Sequence, residues 1–233
     1  MLRWLYPPTC ELCGEPCEHT LCEACLAALV RVPRPICLRC GCPTRGVAQE
    51  AHCCAACRGL PVSGFDFARA ALVREETTME LVHALKYRRA AHLACSLAPL
   101  LAELWETTPE LRAVADWVLV PVPIEQKRLF ARGYNQAEEL ARALGRLMGL
   151  RVWQPLRRLP TAHESQTRLS ARARMANARQ AYTLRRHGES PAANLLLVDD
   201  VYTTGATAVS CAMQLRKLSG VQRVGVLTLL RAE

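Results

Sequence analysis

The stretch LLLVDDVYTTGAT, residues 195–207, gathers residue types that handle phosphate and sugar. An apolar run ends in two adjacent carboxylates, Asp199 and Asp200. A small hydroxylated loop follows, Thr203, Thr204, Gly205, Ala206 and Thr207, and then a helix is expected to begin. Phosphate binds where backbone N–H groups converge at a helix N-terminus, and Gly205 lets the backbone come close. The threonines can add hydroxyl donors, and the carboxylates can accept from hydroxyls such as those of a ribose. The carboxyl end of a strand is also where open α/β sheets bind ligands. A helix entry whose threonines merely cap would need only T-T-G, not the whole run.

Thiols make up the second set. Thirteen cysteines are present, and eleven fall between Cys10 and Cys57. Residues 1–10 hold two prolines and no apolar core, which is not a secretory signal, so a disulfide framework is the weaker reading. Four C-x-x-C pairs stand in order: Cys10/Cys13, Cys22/Cys25, Cys37/Cys40 and Cys54/Cys57. Each pair sets two thiolates on one side of a tight turn, half of a tetrahedral zinc site. The spacing predicts two closed, structural Zn2+ sites with four cysteines each. Sequential pairing needs only short loops, and crossed pairing satisfies the spacing too. Cys17, Cys42, Cys53, His19 and His52 are spare ligands. So small a segment depends on metal for much of its folding energy.

The elements that must position these groups follow from the hydrophobic periodicity. Strands are expected over 65–73, 116–122, 151–156, 194–198 and 221–230. Helices are expected over 77–89, over 92–105 with a kink or break near Pro99, over 135–149, over 168–179 and over 206–218. Asn135 is the expected N-cap of the third and Gly149 its stop. Cys95 and Cys211 are expected in helix cores. Alternating strands and helices predict an α/β domain with a mainly parallel sheet, preceded by the small Cys-rich unit. The boundary is placed at 62/63, where Pro61, Ser63 and Gly64 punctuate the chain and the dense cysteines stop.

At VDDVYTTGAT the chain resembles the type I phosphoribosyltransferases, whose signature binds phosphoribosyl pyrophosphate (PRPP). The resemblance implies a phosphoribosyltransferase-like sheet with flanking helices. It implies that Asp199 and Asp200 hold the ribose hydroxyls and Thr203, Thr204, Gly205, Ala206 and Thr207 the 5′-phosphate. It places Pro121, Val122 and Pro123 in the pyrophosphate loop, often marked by an unusual peptide bond, and residues 157–167 in a catalytic lid. Mg2+ would bridge pyrophosphate and ribose oxygens. Arg132-Gly133-Tyr134-Asn135-Gln136, Lys86-Tyr87, Gln166, Arg174, Asn177 and the thiol pairs together narrow the resemblance to the ComF family of competence-associated proteins, GntX-like members included. It covers nearly the whole chain. It implies a cytoplasmic protein linked to natural transformation, where single-stranded DNA reaches the cytosol. Arg132 and Lys86 become candidate PRPP ligands, and Arg158, at the lid, a catalytic candidate that could swing onto the leaving pyrophosphate. His163 is a candidate for proton transfer. For each, a solvated or capping role is the bland alternative.

Composition bounds the function. The 233 residues are 51% hydrophobic and 22% charged, which argues against a mainly disordered chain, and no run of eighteen apolar residues predicts a membrane span. Formal net charge is +9, and 27 of the 30 basic residues are Arg. Between Pro123 and Arg186 stand fourteen basic and four acidic residues, a density that suits phosphates of PRPP or of a nucleic acid. Residues 1–62 carry six basic and five acidic side chains, formally +1; two Zn2+ ions with eight thiolates shift that to −3. The thiol segment is therefore expected to dock rather than bind nucleic acid, which weakens a reading as a zinc-ribbon transcription regulator. Two readings remain. One is an enzyme that transfers phosphoribosyl from Mg-PRPP to an acceptor. The other is a binding module for single-stranded DNA or a partner such as a DNA-uptake helicase.

Overall fold

The computed structural model describes residues 9–44, 53–58, 64–87, 90–160, 181–186 and 188–232. The expected helix over 168–179, and with it His163, Gln166, Arg174 and Asn177, lies outside the described residues. So do most of the lid stretch and residues 61–63 of the boundary.

Four strands form one parallel sheet in the order β1-β6-β5-β2: β1 Phe67–Val73, β2 Trp117–Pro121, β5 Asn194–Tyr202 and β6 Arg223–Arg231. Their near-continuous apolar sequences fit strands covered on both faces. Two apolar clusters flank the sheet. Leu196 and Val198 of β5 belong to one, Leu195 and Leu197 to the other, as the two-residue period requires. A small antiparallel hairpin, β3 Leu156–Arg158 with β4 Tyr182–Leu184, lies beside it. The strand expected over 151–156 is thus divided. Val152 bridges Leu119 at the β2 edge, and the chain leaves for the hairpin only at Leu156.

The helices are α1 Glu23–Ala28, α2 Ala55–Arg58, α3 Glu76–Tyr87, α4 Leu93–Glu106, α5 Pro109–Arg112, α6 Gln126–Arg132, α7 Gln136–Met148 and α8 Ala206–Leu215. Pro99 neither breaks nor ends α4. It sits on the exposed face in the second turn, where the carbonyl of exposed Cys95 is left to water. Cys95 is therefore not a core residue, whereas Cys211 is fully buried. Asn135 caps α7 as expected, its side chain accepting from the Ala137 N–H, and Gly149 ends it at φ 70°.

The Cys-rich segment is built onto the sheet. Val32 donates to Ala71 O at 3.0 Å and Val73 to Val30 O at 3.1 Å, around an antiparallel bridge between Arg31 and Leu72. Ala68 N donates to Arg39 O, and a Cβ at Gly41 would run into Ala68 O. The segment thereby closes the free edge of β1. Cys10, Leu21 and Leu29 join the apolar cluster on one side, Cys37, Cys40 and Cys57 that on the other.

Candidate functional site

The two thiol clusters repeat one local design. The Sγ atoms of Cys10, Cys13, Cys22 and Cys25 all lie within 4.8 Å of one another, so the first pair meets the second. The same holds for Cys37, Cys40, Cys42 and Cys54, with Cys57 in contact with Cys40 and Cys54. Corresponding bonds recur. Gly14 N donates to Cys10 O and Gly41 N to Cys37 O. Cys22 N donates to Cys10 Sγ at 3.4 Å, and Cys54 N to Cys37 Sγ at 3.2 Å. Cys13 and Cys22 sulfurs stand 3.8 Å apart, Cys40 and Cys54 sulfurs 3.7 Å.

In this repeat Cys57 matches Cys25, while Cys42 matches Glu15: Cys10 N donates to Glu15 O and Cys37 N to Cys42 O, each at 2.8 Å. The second cluster thus offers five thiols where a tetrahedral ion takes four. Against the cost of burial, backbone N–H donors hold Cys10 and Cys37 down at about 6, which favours a thiolate in each cluster. Cys25 and Cys57 are pushed up in parallel, Cys25 chiefly by the Cys22 thiol and Cys57 chiefly by burial. Eight to nine converging thiols fit two Zn2+ ions, and both clusters fit zinc binding.

The carboxylate site lies at the carboxyl end of β5. Successive side chains leave a strand toward opposite faces, so Asp199 and Asp200 enter different surroundings. Asp200 is buried and faces α3 and α7. Lys86, at the end of α3, forms an ion pair with its Oδ2. Gln136, in the first turn of α7, donates to its Oδ1 at 3.3 Å. Against burial, the Lys86 charge and the hydrogen bonds of Asp199, Lys86 and Gln136 hold Asp200 below its ordinary value. Arg132 donates to Gln136 Oε1 at 3.1 Å and lies 4.8 Å over the Tyr87 ring. Lys86 and Arg132 therefore both converge on Asp200, one directly and one through Gln136.

Asp199 lines a small pocket of about 50 Å3. Thr203, Thr204, Gly205, Ala206, Thr207 and Val122 share its wall, with Tyr202 beside them. Gly205 has φ 77°, and any Cβ there would run into the Tyr202 hydroxyl, so glycine is required twice over. Asp199 keeps some surface open to this pocket, yet burial and the neighbouring Asp200 charge push it well above the carboxylate range. Tyr182 of β4 is raised to about 12, mainly by burial and then by Cys211.

Arg158 is the candidate whose setting changes most. It belongs to strand β3 rather than to a free loop, 5.7 Å over the Tyr182 ring, and its buried Nε lacks a hydrogen-bond partner among the described residues. Pro121 ends β2, and Val122 N donates to Val198 O at 2.9 Å, continuing the ladder. The unusual peptide bond implied for Pro121–Pro123 is absent, since among the described residues only Arg34–Pro35 is cis. Gln136 was legible only as part of a motif. It is the first residue of α7, directly after the Asn135 cap, and its side chain is held between Asp200 and Arg132.

A parallel α/β sheet with a double thiol ribbon along one edge and a paired-carboxylate site beside a glycine-hinged loop at its carboxyl end defines the class of protein. The double zinc ribbon domain family matches residues 1–58. DNA utilization protein YhgH of Salmonella typhimurium is 33% identical over 97% of both chains. YhgH of Escherichia coli K12 is 30% identical over the same share. Competence protein ComFC of Bacillus subtilis is 26% identical over 92% of this chain and 85% of its own. The chain belongs to the ComF family.

Proposed function

We propose that this protein acts in the uptake or use of DNA and binds Mg-PRPP at the carboxyl end of β5. The names of its relatives, for DNA utilization and competence, support the first half. The second half rests on one arrangement: Asp199 and Asp200 beside a glycine-hinged loop that opens α8. The amides at 203–207 and the threonine hydroxyls would take the 5′-phosphate. Asp200, held ionised by Lys86, would accept from a ribose hydroxyl. Mg2+, when bound, would neutralise pyrophosphate oxygens. Arg132 and Lys86 supply charge on the Asp200 side, and Arg158 lies over the Tyr182 ring on the hairpin. An acceptor nucleophile, a base or amine, would then displace pyrophosphate at the anomeric carbon. Structural zinc would hold the ribbon.

Calorimetric titration of Mg-PRPP into the zinc-loaded chain tests the site. Saturable binding is expected, lost in the Asp199→Asn/Asp200→Asn double variant. No binding by the intact fold overturns the PRPP assignment.

A second reading, a surface for single-stranded DNA, has its own observation. Helix α6 buries no residue: Phe130 is 80% exposed, next to Leu129 and flanked by Lys127, Arg128 and Arg132. Exposed rings among cations fit stacked bases and a phosphate backbone. Phe130→Ala should weaken binding of a labelled oligothymidylate at every salt concentration, while Lys127→Gln/Arg128→Gln should flatten its salt dependence. Affinity and slope indifferent to both would remove this reading.

A further inference from the structure

The second thiol cluster and the phosphate loop touch a common pair of side chains. Arg231 closes β6, and its register partner on β5 is Tyr202. The Arg231 guanidinium is buried; it donates to Cys40 O and lies 3.8 Å from Cys40 Sγ. The same guanidinium stands 4.7 Å over the Tyr202 ring. Phe65 meets that ring edge-on at 6.4 Å, and the Tyr202 main chain is fixed by Ala232 N donating to its carbonyl at 2.9 Å. The Tyr202 hydroxyl then occupies the space a Cβ would need at Gly205. From Cys40 to the loop that opens α8 there is thus an unbroken path: Cys40, Arg231, Tyr202, Gly205. The first cluster has a different neighbour. Its Glu11 carboxylate meets His92 before α4, at 3.3 Å.

We infer that the second thiol cluster, through Arg231 and Tyr202, sets the shape of the phosphate loop, so that metal held by the ribbon and anion held at 203–207 stabilise each other. The physical case is a matter of charge and rigidity. Four thiolates around a divalent cation leave a net −2, and Arg231 is the cation packed against that charge and against a π face. A flat guanidinium can serve both at once; an ammonium cannot. With the cluster empty or oxidised, Cys40 no longer anchors the guanidinium, and the ring behind Gly205 loses its backing. Gly205, which has no side chain of its own to hold it, then gains conformations that do not bind. Arg231 and Tyr202 are positioning residues here. Neither needs to touch the ligand.

Coupling between two sites is reciprocal. This inference rests on the phosphate-binding reading of the 203–207 loop, and the test separates the two. The probe is Mg-PRPP, and the protein is the full chain carrying two zinc ions. Zinc affinity is measured by equilibrium competition with a chromogenic chelator, with and without the probe. Saturating Mg-PRPP is expected to tighten one of the two zinc sites about tenfold, within the usual range for coupled sites. Arg231→Lys, with zinc content confirmed, is expected to abolish the tightening and weaken Mg-PRPP about tenfold. Arg223→Lys, exposed at the start of the same strand, should do neither. If the chain binds Mg-PRPP while both zinc affinities stay unchanged, the coupling is overturned and the site reading stands.

If the chain does not bind Mg-PRPP, the site reading falls. The coupling is then judged on amide hydrogen exchange over residues 203–209: faster exchange in Arg231→Lys supports it, and equal exchange overturns it. Should Arg231→Lys fail to fold, Tyr202→Phe replaces it in each comparison. That change keeps the ring and removes only the hydroxyl behind Gly205.

Discussion

At the scale of single residues, two neighbouring carboxylates pull stability in opposite directions. Asp200 has a depressed value, so its contribution is present at neutral pH and is lost only as pH falls through that depressed value. Asp199 has a raised value, so its charge opposes folding at neutral pH, and stability grows as pH falls through the raised value. Asp200→Asn strands Lys86 and should cost about 2 kcal/mol. Asp199→Asn should instead raise Tm by a few degrees. The gap between Asp199→Asn and the parent should narrow as pH falls through the raised value, as Asp199 takes up its own proton. Thermal melts of both variants over a pH series check this; a fall in Tm for Asp199→Asn would contradict it. The Asp-Asp pair was legible in the sequence. Its division of labour was not, because that depends on Lys86 and Gln136, which lie 114 and 64 positions away in the chain.

Elements show why some expectations held and others shifted. Asn135 and Gly149 bounded α7 because capping is local chemistry, readable within a few residues. The strand at 151–156 was cut short because the choice between the β2 edge and the hairpin is tertiary. Asn135 also donates to Val122 O at 3.0 Å, so one side chain both starts α7 and fixes the end of the β2 segment. Asn135→Ala should therefore cost about 1–2 kcal/mol, toward the upper end for a lost cap. The loss is measurable as a lower denaturant midpoint with an unchanged m-value. Asn135→Asp keeps the acceptor for Ala137 N but not the donor to Val122, and should fall between the two. The repeat within the ribbon was also hidden in the spacing. The corresponding glycines, Gly14 and Gly41, are 27 positions apart, but Cys22 and Cys54 are 32, and only the hydrogen-bond pattern aligns them.

On the scale of the whole molecule, the ribbon is more than an appended unit. Were the ribbon a separate unit, removal of zinc would leave the larger domain largely folded. The backbone bonds of Val30, Val32 and Arg39 to β1 change that expectation, because releasing the ribbon bares a parallel-sheet edge. Such an edge is a template for other strands. Chelation should thus release two zinc ions per chain and be followed by concentration-dependent aggregation, visible in light scattering. A stripped protein that stays monodisperse would show that the ribbon does not guard the sheet. Among the described residues no helix is long and apolar enough to cross a membrane.

The strand order carries a consequence for how the chain is made. Residues 223–231 lie between β1 and β5, so these two cannot be joined until β6 has left the ribosome. The ribbon and β1 emerge early and must wait, as must β5 beside β2. A ribosome that stalls shortly before position 223 would hold two half-sheets with raw inner edges and a 203–207 loop lacking Arg231 behind it. Birth order therefore makes β6 the closing piece: the sheet is joined only when a segment made more than a hundred and fifty residues after β1 slips in beside it.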